Sequence, residues 1–417
     1  MKILHICPLY YPSVGGNQIH TKELSEKLAL LGDEVTVFTP DALNCRELTH
    51  KNGRSDSLAL NEIINGVTVK RFPVRYHLHN FIFDRVEKRR GGYRLTGLIF
   101  GGYRNLLRRG PLVPAMTKRI LSLKPAVTTI FNICNANSIY AYRAKRIGKN
   151  PLAIVPCLHV RENWVNDPLI ERILKSADLV VALTRFEKDF MVQKGVAAEK
   201  IAVIGPGINP AAYEGARPED FRKKHQLGEN LIVSYAGRIA KGKNIQSLVG
   251  AMRLVWAKNP DAKLLLAGTV EKEDDFSTSD LIDAIEPQWR RNIILLKDFS
   301  DNEKKDIFAA IDIFVLPSVC ESFGIVLLEA WVSGKPVVVC RDSAPASVVE
   351  EGKDGLLFNF KDEKDLASVI ARLLNDSNLR HRLGENGRRK VLEQYTWDLI
   401  AQRFREEYRR LVLIANS

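Results

Sequence analysis

The chain has 417 residues, 45% hydrophobic and 27% charged, with a formal net charge of +13. That balance excludes a disordered chain, and the length predicts two or three domains at ~100–200 residues each. No run reaches the ~18 apolar residues needed to cross a bilayer, and the six scattered cysteines, with no CxxC pair, exclude a disulfide framework or zinc ribbon.

Met1-Lys2 leads into the short apolar run ILHIC and then Pro8, so no secretory leader is predicted and the expected location is cytoplasmic. In the first half, strands are predicted at KILHIC (2–7), EVTVFT (34–39), GVTVKRFPV (66–74), VTTIFNI (127–133), LAIVPCL (152–158), LVVAL (179–183) and KIAVIG (200–205). Between the first two, His20, Leu24, Leu28 and Leu31 share one face of a helix that Gly32 ends. The pattern restarts with NLIVSYAG (230–237) and continues through AKLLLAG (262–268), NIILL (292–296), DIFVLP (312–317) and KPVVVC (335–340). Strands alternating with helices predict an α/β protein with two Rossmann-like, doubly wound parallel sheets. The expected domains are 1–205 and 221–395, joined by the Gly- and Pro-rich linker 206–220. An amphipathic helix at 396–417 is expected to pack back on the first domain.

The charge is concentrated. Residues 85–124 hold eleven basic residues and one acidic residue, Glu87, a local balance of +10. Arginines there alternate with Tyr93, Leu95, Leu98, Ile99, Phe100 and Tyr103. A basic amphipathic helix of this kind suits an anionic membrane surface; the plain alternative is a solvated helix. No nucleic-acid module or aromatic platform accompanies it, so nucleic acid is not an expected partner.

Candidate chemistry lies just after the strands. Gly15 and Gly16 open the first helix, where a backbone can approach an anionic ligand closely; the alternative is an ordinary tight turn. Arg238 and Lys243 follow the strand ending YAG and could grip a diphosphate, or be two solvated charges. The stretch CESFGIVLLEA (320–330) sets Glu321 in a loop and Glu329 in the helix expected to begin at Gly324. At ~1.5 Å per residue the two carboxylates lie about 10 Å apart or less, a span suited to hydroxyls at two ends of one ligand. The N–H groups of Gly324 and Ile325 would face phosphates between them, and Phe323 belongs to the same segment. The alternative is a capping Glu321 and an exposed Glu329. His159 follows LAIVPC at the edge of the first sheet, where a structural role is the competing reading. No D-x-D and no metal-spaced His or acidic cluster occurs, so no metal is expected.

Taken together these residues carry a resemblance. The chain resembles a GT-B glycosyltransferase of family 4, the retaining nucleotide-sugar transferases, almost end to end. The likeness runs through PSVGGNQIHTKELSEKLALLGDEVTVFTP, ADLVVALT, VIGPGIN, YAGRIAKGKN, the E-x7-E stretch ESFGIVLLE, SGKPVVV, EEGKDGLLF and LGENGRRKVLEQYTW. It implies two Rossmann-like domains with an interdomain cleft. It also implies roles: Glu329 on the donor ribose, Glu321 by the transferred sugar, and Arg238 and Lys243 on the diphosphate. Gly16 and His159 match first-domain positions lining the donor pocket, and Phe299 a segment near the nucleobase. The implied partners are a nucleotide sugar, GDP- or UDP-linked, and a glycan or lipid-linked acceptor, with 85–124 on the inner face of a membrane. Two departures stand out. SAPAS (343–347) replaces the common Gly-Gly-x-Pro-Glu, and Trp331 stands where a small or unbranched residue is usual. Two other functions compete, a degenerate binding protein on this fold and a nucleotide-sugar epimerase.

Overall fold

The structure, a computed structural model, describes residues 1–51, 58–88, 92–270, 282–283, 285–297 and 299–416. It divides into two compact units. The first comprises Met1–Leu183, Glu187–Gly205 and Trp397–Ser417; the second comprises Pro206–Thr396 and Thr184–Phe186.

The first unit is built on β1 (Lys2–Ile6), β2 (Glu34–Pro40), β3 (Asn61–Ile64), β4 (Val67–Phe72), β5 (Val127–Phe131), β6 (Leu152–Val155), β7 (Leu179–Ala182) and β8 (Ile201–Val203). Their order in the sheet is β3-β4-β2-β1-β5-β6-β7-β8, parallel except for the antiparallel edge pair β3–β4. β6 and β7 read as unbroken apolar runs, and every residue of β5, Thr128 and Thr129 included, and of β6 is buried, because helices cover both faces. The edge strand β3 alternates exposed and half-buried residues instead, and the sequence showed no strand there. NEII followed by NG reads more readily as a turn approach than as a core strand.

The second unit carries β9 (Ile232–Ala236), β10 (Lys263–Ala267), β11 (Ile293–Leu296), β12 (Ile313–Leu316), β13 (Val337–Cys340) and β14 (Gly355–Phe358). They form an all-parallel sheet in the order β11-β10-β9-β12-β13-β14. Its outermost strand β14 follows directly from KDG, and its four residues GLLF were too few to stand out in the sequence.

The expected linker is not a free tether. Residues 206–220 include a 3-10 turn at Pro210–Tyr213 and the start of the helix Pro218–Lys224. Asp306 accepts from the Arg217 N–H at 2.7 Å, and the Glu214 carbonyl accepts from Lys305 at 3.2 Å. The helix Trp397–Asn416 packs on the first unit's helix Gly16–Leu30. Trp397 lies 5.5 Å from the His20 ring, Lys27 pairs with Asp398 at 2.7 Å, and Thr129 donates to the Tyr408 hydroxyl at 2.7 Å.

The basic segment does not form one amphipathic helix. It breaks into a π-helix at Asn80–Val86, helices at Gly92–Phe100 and Arg104–Arg108, and a further helix at Met116–Leu123. Nor is its charge all surface charge. Arg104 is buried, pairs with the buried Glu87, and stacks 3.6 Å over the Tyr93 ring. Glu87 also faces Arg108 at 3.6 Å. One carboxylate therefore organises several of the arginines. Arg89 and Arg90 lie outside the described residues.

Backbone crowding marks the carboxyl edge of the second sheet. Gly237 and Gly268 end β9 and β10 with φ of +144° and +146°. A Cβ on Gly268 would fall 1.7 Å from the Gly237 carbonyl oxygen. That clash is with backbone and cannot be relieved by a rotamer. Gly268→Ala is therefore expected to destabilise the second unit by about 3–5 kcal/mol, at the high end for a point substitution. A urea midpoint within a tenth of the parent's would show that this edge is not held as described.

Candidate active site

In open parallel sheets, ligands bind beyond the carboxyl ends of the strands, where the strand order reverses. In the second sheet the reversal falls between β9 and β12, in the first between β1 and β5. The loops that carry the sequence-derived candidates leave these strands or their neighbours.

In the second unit, two loops are stitched together. Lys243, after β9, reaches Glu321, after β12, with Nζ 2.6 Å from Oε1. The Ser318 hydroxyl donates to the same oxygen at 2.9 Å. Asn244 takes a left-handed conformation (φ +54°) and donates to the Pro317 carbonyl at 3.1 Å. Lys243 and Glu321 are about equally sheltered, at 14% and 17% side-chain exposure. Both keep an open side, and Oε2 of Glu321 has no partner among the described residues. Arg238 is exposed at the head of the first loop, and its carbonyl accepts from the Tyr235 hydroxyl at 2.6 Å.

The helix after Glu321 starts later than the sequence suggested. It spans Val326–Val332, and Gly324 precedes it at φ +86°. Gly324 is thus the left-handed corner turning the loop into the helix, and a Cβ there would meet Leu316 at 2.8 Å. The Gly324 and Ile325 N–H groups have no acceptor among the described residues, while their carbonyls open the helix by accepting from Leu327 and Leu328. Phe323 is a correction: its side chain is buried and packs edge-on against Tyr395 at 5.7 Å, so it serves the core and not a ligand.

Glu329 is buried and engaged by Lys304, at 3.3 Å from Oε1. Lys304 lies on the helix Asp301–Ala310 that follows β11, as does the half-buried Phe299 just before it. Sequence reasoning missed Lys304, because a lysine inside DNEKKDIF looks like one of several solvent charges. Trp331 is also accounted for. It is fully buried, donates from Nε1 to the Asp354 carbonyl at 2.8 Å, and has Lys390 5.3 Å over its ring. Gly387 makes the room: a Cβ there would lie 1.9 Å from the indole.

In the first unit, Gly15 is extended (φ 166°), a conformation open to any residue. A Cβ there would meet only the movable Gln18 side chain. The fold therefore does not demand glycine at 15. The helix Gly16–Leu30 begins with no acid in its first turn and no side-chain cap. His159 is half-buried after β6. The loop after β6 meets the start of this helix where Cys157 Sγ contacts Asn17 Oδ1 at 3.5 Å.

A second missed residue holds that loop. Glu187 is fully buried and accepts from the Leu158 N–H at 2.7 Å and the Leu183 N–H at 2.6 Å. Burial raises its carboxyl to about 7 against the pull of those two N–H groups. It ties the loop after β6, next to His159, to the loop after β7. In the sequence it reads as a first-turn helix acid.

Comparison with known proteins fits this arrangement. Residues 14–212 match the family described as Glycosyltransferase Family 4, and residues 217–390 match Glycosyl transferases group 1. The capsular polysaccharide biosynthesis glycosyltransferase CapM of Staphylococcus aureus is 29% identical over 58% of this chain and 64% of its own length. An uncharacterized glycosyltransferase of Methanocaldococcus jannaschii is 26% identical over 96% of both chains. Among solved structures, HepE of Anabaena in complex with UDP and glucose aligns with a TM-score of 0.71 at 18% identity, covering 98% of this chain and 99% of its own. The fold is therefore GT-B. The chain belongs to the family 4 glycosyltransferases.

Proposed function

We propose that the chain moves a hexosyl unit (mannose, glucose or N-acetylhexosamine) from a GDP- or UDP-sugar to an acceptor hydroxyl, with retention of configuration and without a metal. The observation that carries the reading is the Lys243–Glu321 contact at the reversal between β9 and β12, beside the unbonded N–H groups of Gly324 and Ile325. In the reaction, the bond from the anomeric carbon to the β-phosphate oxygen breaks and a bond to the acceptor oxygen forms on the same face. The acceptor proton passes to the leaving phosphate, which departs as the nucleoside diphosphate. Lys243 and Arg238 neutralise charge on that phosphate, helped by the two N–H groups. Glu321 holds the sugar hydroxyls and Glu329 the ribose, each exchanging its present lysine contact for the donor. In the first unit, Gly15, Gly16 and His159 are the candidate ligand contacts.

CapM is named for capsular polysaccharide biosynthesis and HepE is described with UDP and glucose. The HepE complex supports a nucleotide-sugar donor and the CapM name a glycan acceptor; a lipid-linked acceptor is part of the proposal. Exposed Leu98 and Ile99 among arginines support a peripheral position on an anionic membrane.

A thermal-shift screen of nucleotide sugars tests the donor. At ~100 times its dissociation constant the true donor stabilises by about 2.7 kcal/mol, which for a unit of this size is roughly 5–10 °C. If no UDP- or GDP-sugar moves the melting temperature, the reading fails.

A further inference from the structure

The segment between β4 and β5, with the helix Asn137–Gly148 that follows β5, lines a half-open cavity of about 740 Å³, a size usual for small-molecule sites at ~300–1,000 Å³. Its wall is apolar, with Phe83, Phe100, Leu107, Leu112 and Ile139 among its residues. Besides the Tyr103 hydroxyl, the neutral polar groups in the wall are spent on the fold. The Tyr140 hydroxyl accepts from the Val113 N–H at 2.9 Å and donates to the Pro111 carbonyl at 3.0 Å. The Thr117 hydroxyl donates to the Tyr140 carbonyl at 3.2 Å. One charge lines the cavity, that of Arg143, which is solvent-exposed and faces no carboxylate among the described residues. Beside it the wall includes Leu78 and Ile99, 46% and 62% exposed. A mainly apolar pocket, open on one side with an unneutralised guanidinium there, suits one kind of molecule, a hydrocarbon chain with an anionic head.

We propose that this cavity takes the hydrocarbon chain of a phosphate-bearing lipid, the lipid part of the acceptor, with Arg143 on the phosphate. The assignment rests on the proposed transfer to a lipid-linked acceptor and names where the lipid is held. The phosphate gains a planar donor fork in partly apolar surroundings. Each methylene buried adds about 0.8 kcal/mol, so affinity grows with chain length until the chamber is full.

The test is calorimetric titration of the full chain with n-dodecyl phosphate below its micelle concentration, with n-butyl phosphate and inorganic phosphate as comparisons. Dodecyl phosphate should bind one to one with a negative heat-capacity change, at least tenfold more tightly than butyl phosphate, and inorganic phosphate should not bind. Arg143→Glu, an exposed change, should weaken dodecyl phosphate at least tenfold. Thr117→Trp, from a half-buried position on the wall, should narrow the chamber and weaken dodecyl phosphate at least tenfold more than butyl phosphate. Affinity indifferent to chain length, or unmoved by both variants, overturns the proposal. So does concentration-dependent dimerisation that Thr117→Trp abolishes, since a second copy would then be the occupant. The nucleotide-sugar shift, measured on the same variants, separates the two readings. A donor shift without dodecyl phosphate binding removes the lipid site alone, whereas dodecyl phosphate binding without any donor shift leaves the site and removes the transferase reading.

Discussion

Lys243→Ala should lower sugar transfer by about a hundred- to a thousandfold, the usual cost of removing one charge-stabilising donor from a transition state. The fold should survive. The Lys243–Glu321 pair keeps about a sixth of each side chain exposed, so its loss should cost more than the about 0–1 kcal/mol of a surface pair and less than the about 3–5 kcal/mol of a fully buried one. Glu321 would still accept from Ser318 at 2.9 Å, so no buried carboxylate is stranded. Glu321→Ala should lose transfer to a similar degree by releasing the sugar hydroxyls. The measurement is labelled-sugar transfer beside an unfolding curve for each variant. Near-normal turnover in either variant with an unchanged midpoint would remove these residues from the chemistry. A large fall in the midpoint would instead assign them to structure.

Acid should unfold the first unit, and His20 is the group to follow. His20 is fully buried among Phe131, Trp397 and Phe404, and its Nε2 has no partner among the described residues. His5 sits beneath it, with Nδ1 2.8 Å from Ser25 Oγ and Nε2 3.3 Å from the Tyr408 hydroxyl. Burial lowers both rings from 6.5 to about 3. Between pH 6.5 and about 3 the unfolded chain binds these two protons and the folded chain does not. Stability from this source is therefore full above pH 6.5 and lost as pH falls.

Glu187 acts in the opposite sense. Its carboxyl, raised from 4.5 to about 7, holds a proton in the folded state that the unfolded chain releases above pH 4.5. Its contribution is greatest below pH 4.5 and is lost as pH rises through 7. Across pH 4.5–6.5 the three groups leave the unfolded state about one proton ahead, a slope of about 1.4 kcal/mol per pH unit. His20→Phe removes one titrating ring and suits an aromatic site. Its stability advantage over the parent should grow by about 2 kcal/mol between pH 7 and pH 5. Urea midpoints that differ by the same amount at both pH values would show that His20 is not a buried neutral ring.

The architecture was largely legible in the sequence, since parallel strands buried on both faces leave continuous runs such as VVVC and LAIV. The short edge strands β3 and β14 escaped because half-exposed or four-residue strands carry little periodicity. The candidate site was legible where each residue sits in a loop directly after a strand, as Arg238 and Lys243 do after β9 and Glu321 after β12. It was not legible where a residue's role depends on a distant neighbour. Lys304 gains meaning only by meeting Glu329, twenty-five positions later. Trp331 was an anomaly until Gly387 supplied the space beside it.

By itself the sequence determined where the chain would be strand, which turns follow those strands, and that acids and bases are held at those turns. These are local matters, set by side-chain period and backbone freedom. Only the tertiary structure decided which turns lie side by side. Strand order brought β9 next to β12, and so Lys243 to within 2.6 Å of Glu321. It also decided that part of the basic segment's charge is folded inward on Glu87, because burying one carboxylate requires a partner and Arg104 supplies it. The same folding left Arg143 facing an apolar chamber that no run of residues announces, because its wall is drawn from elements sixty residues apart.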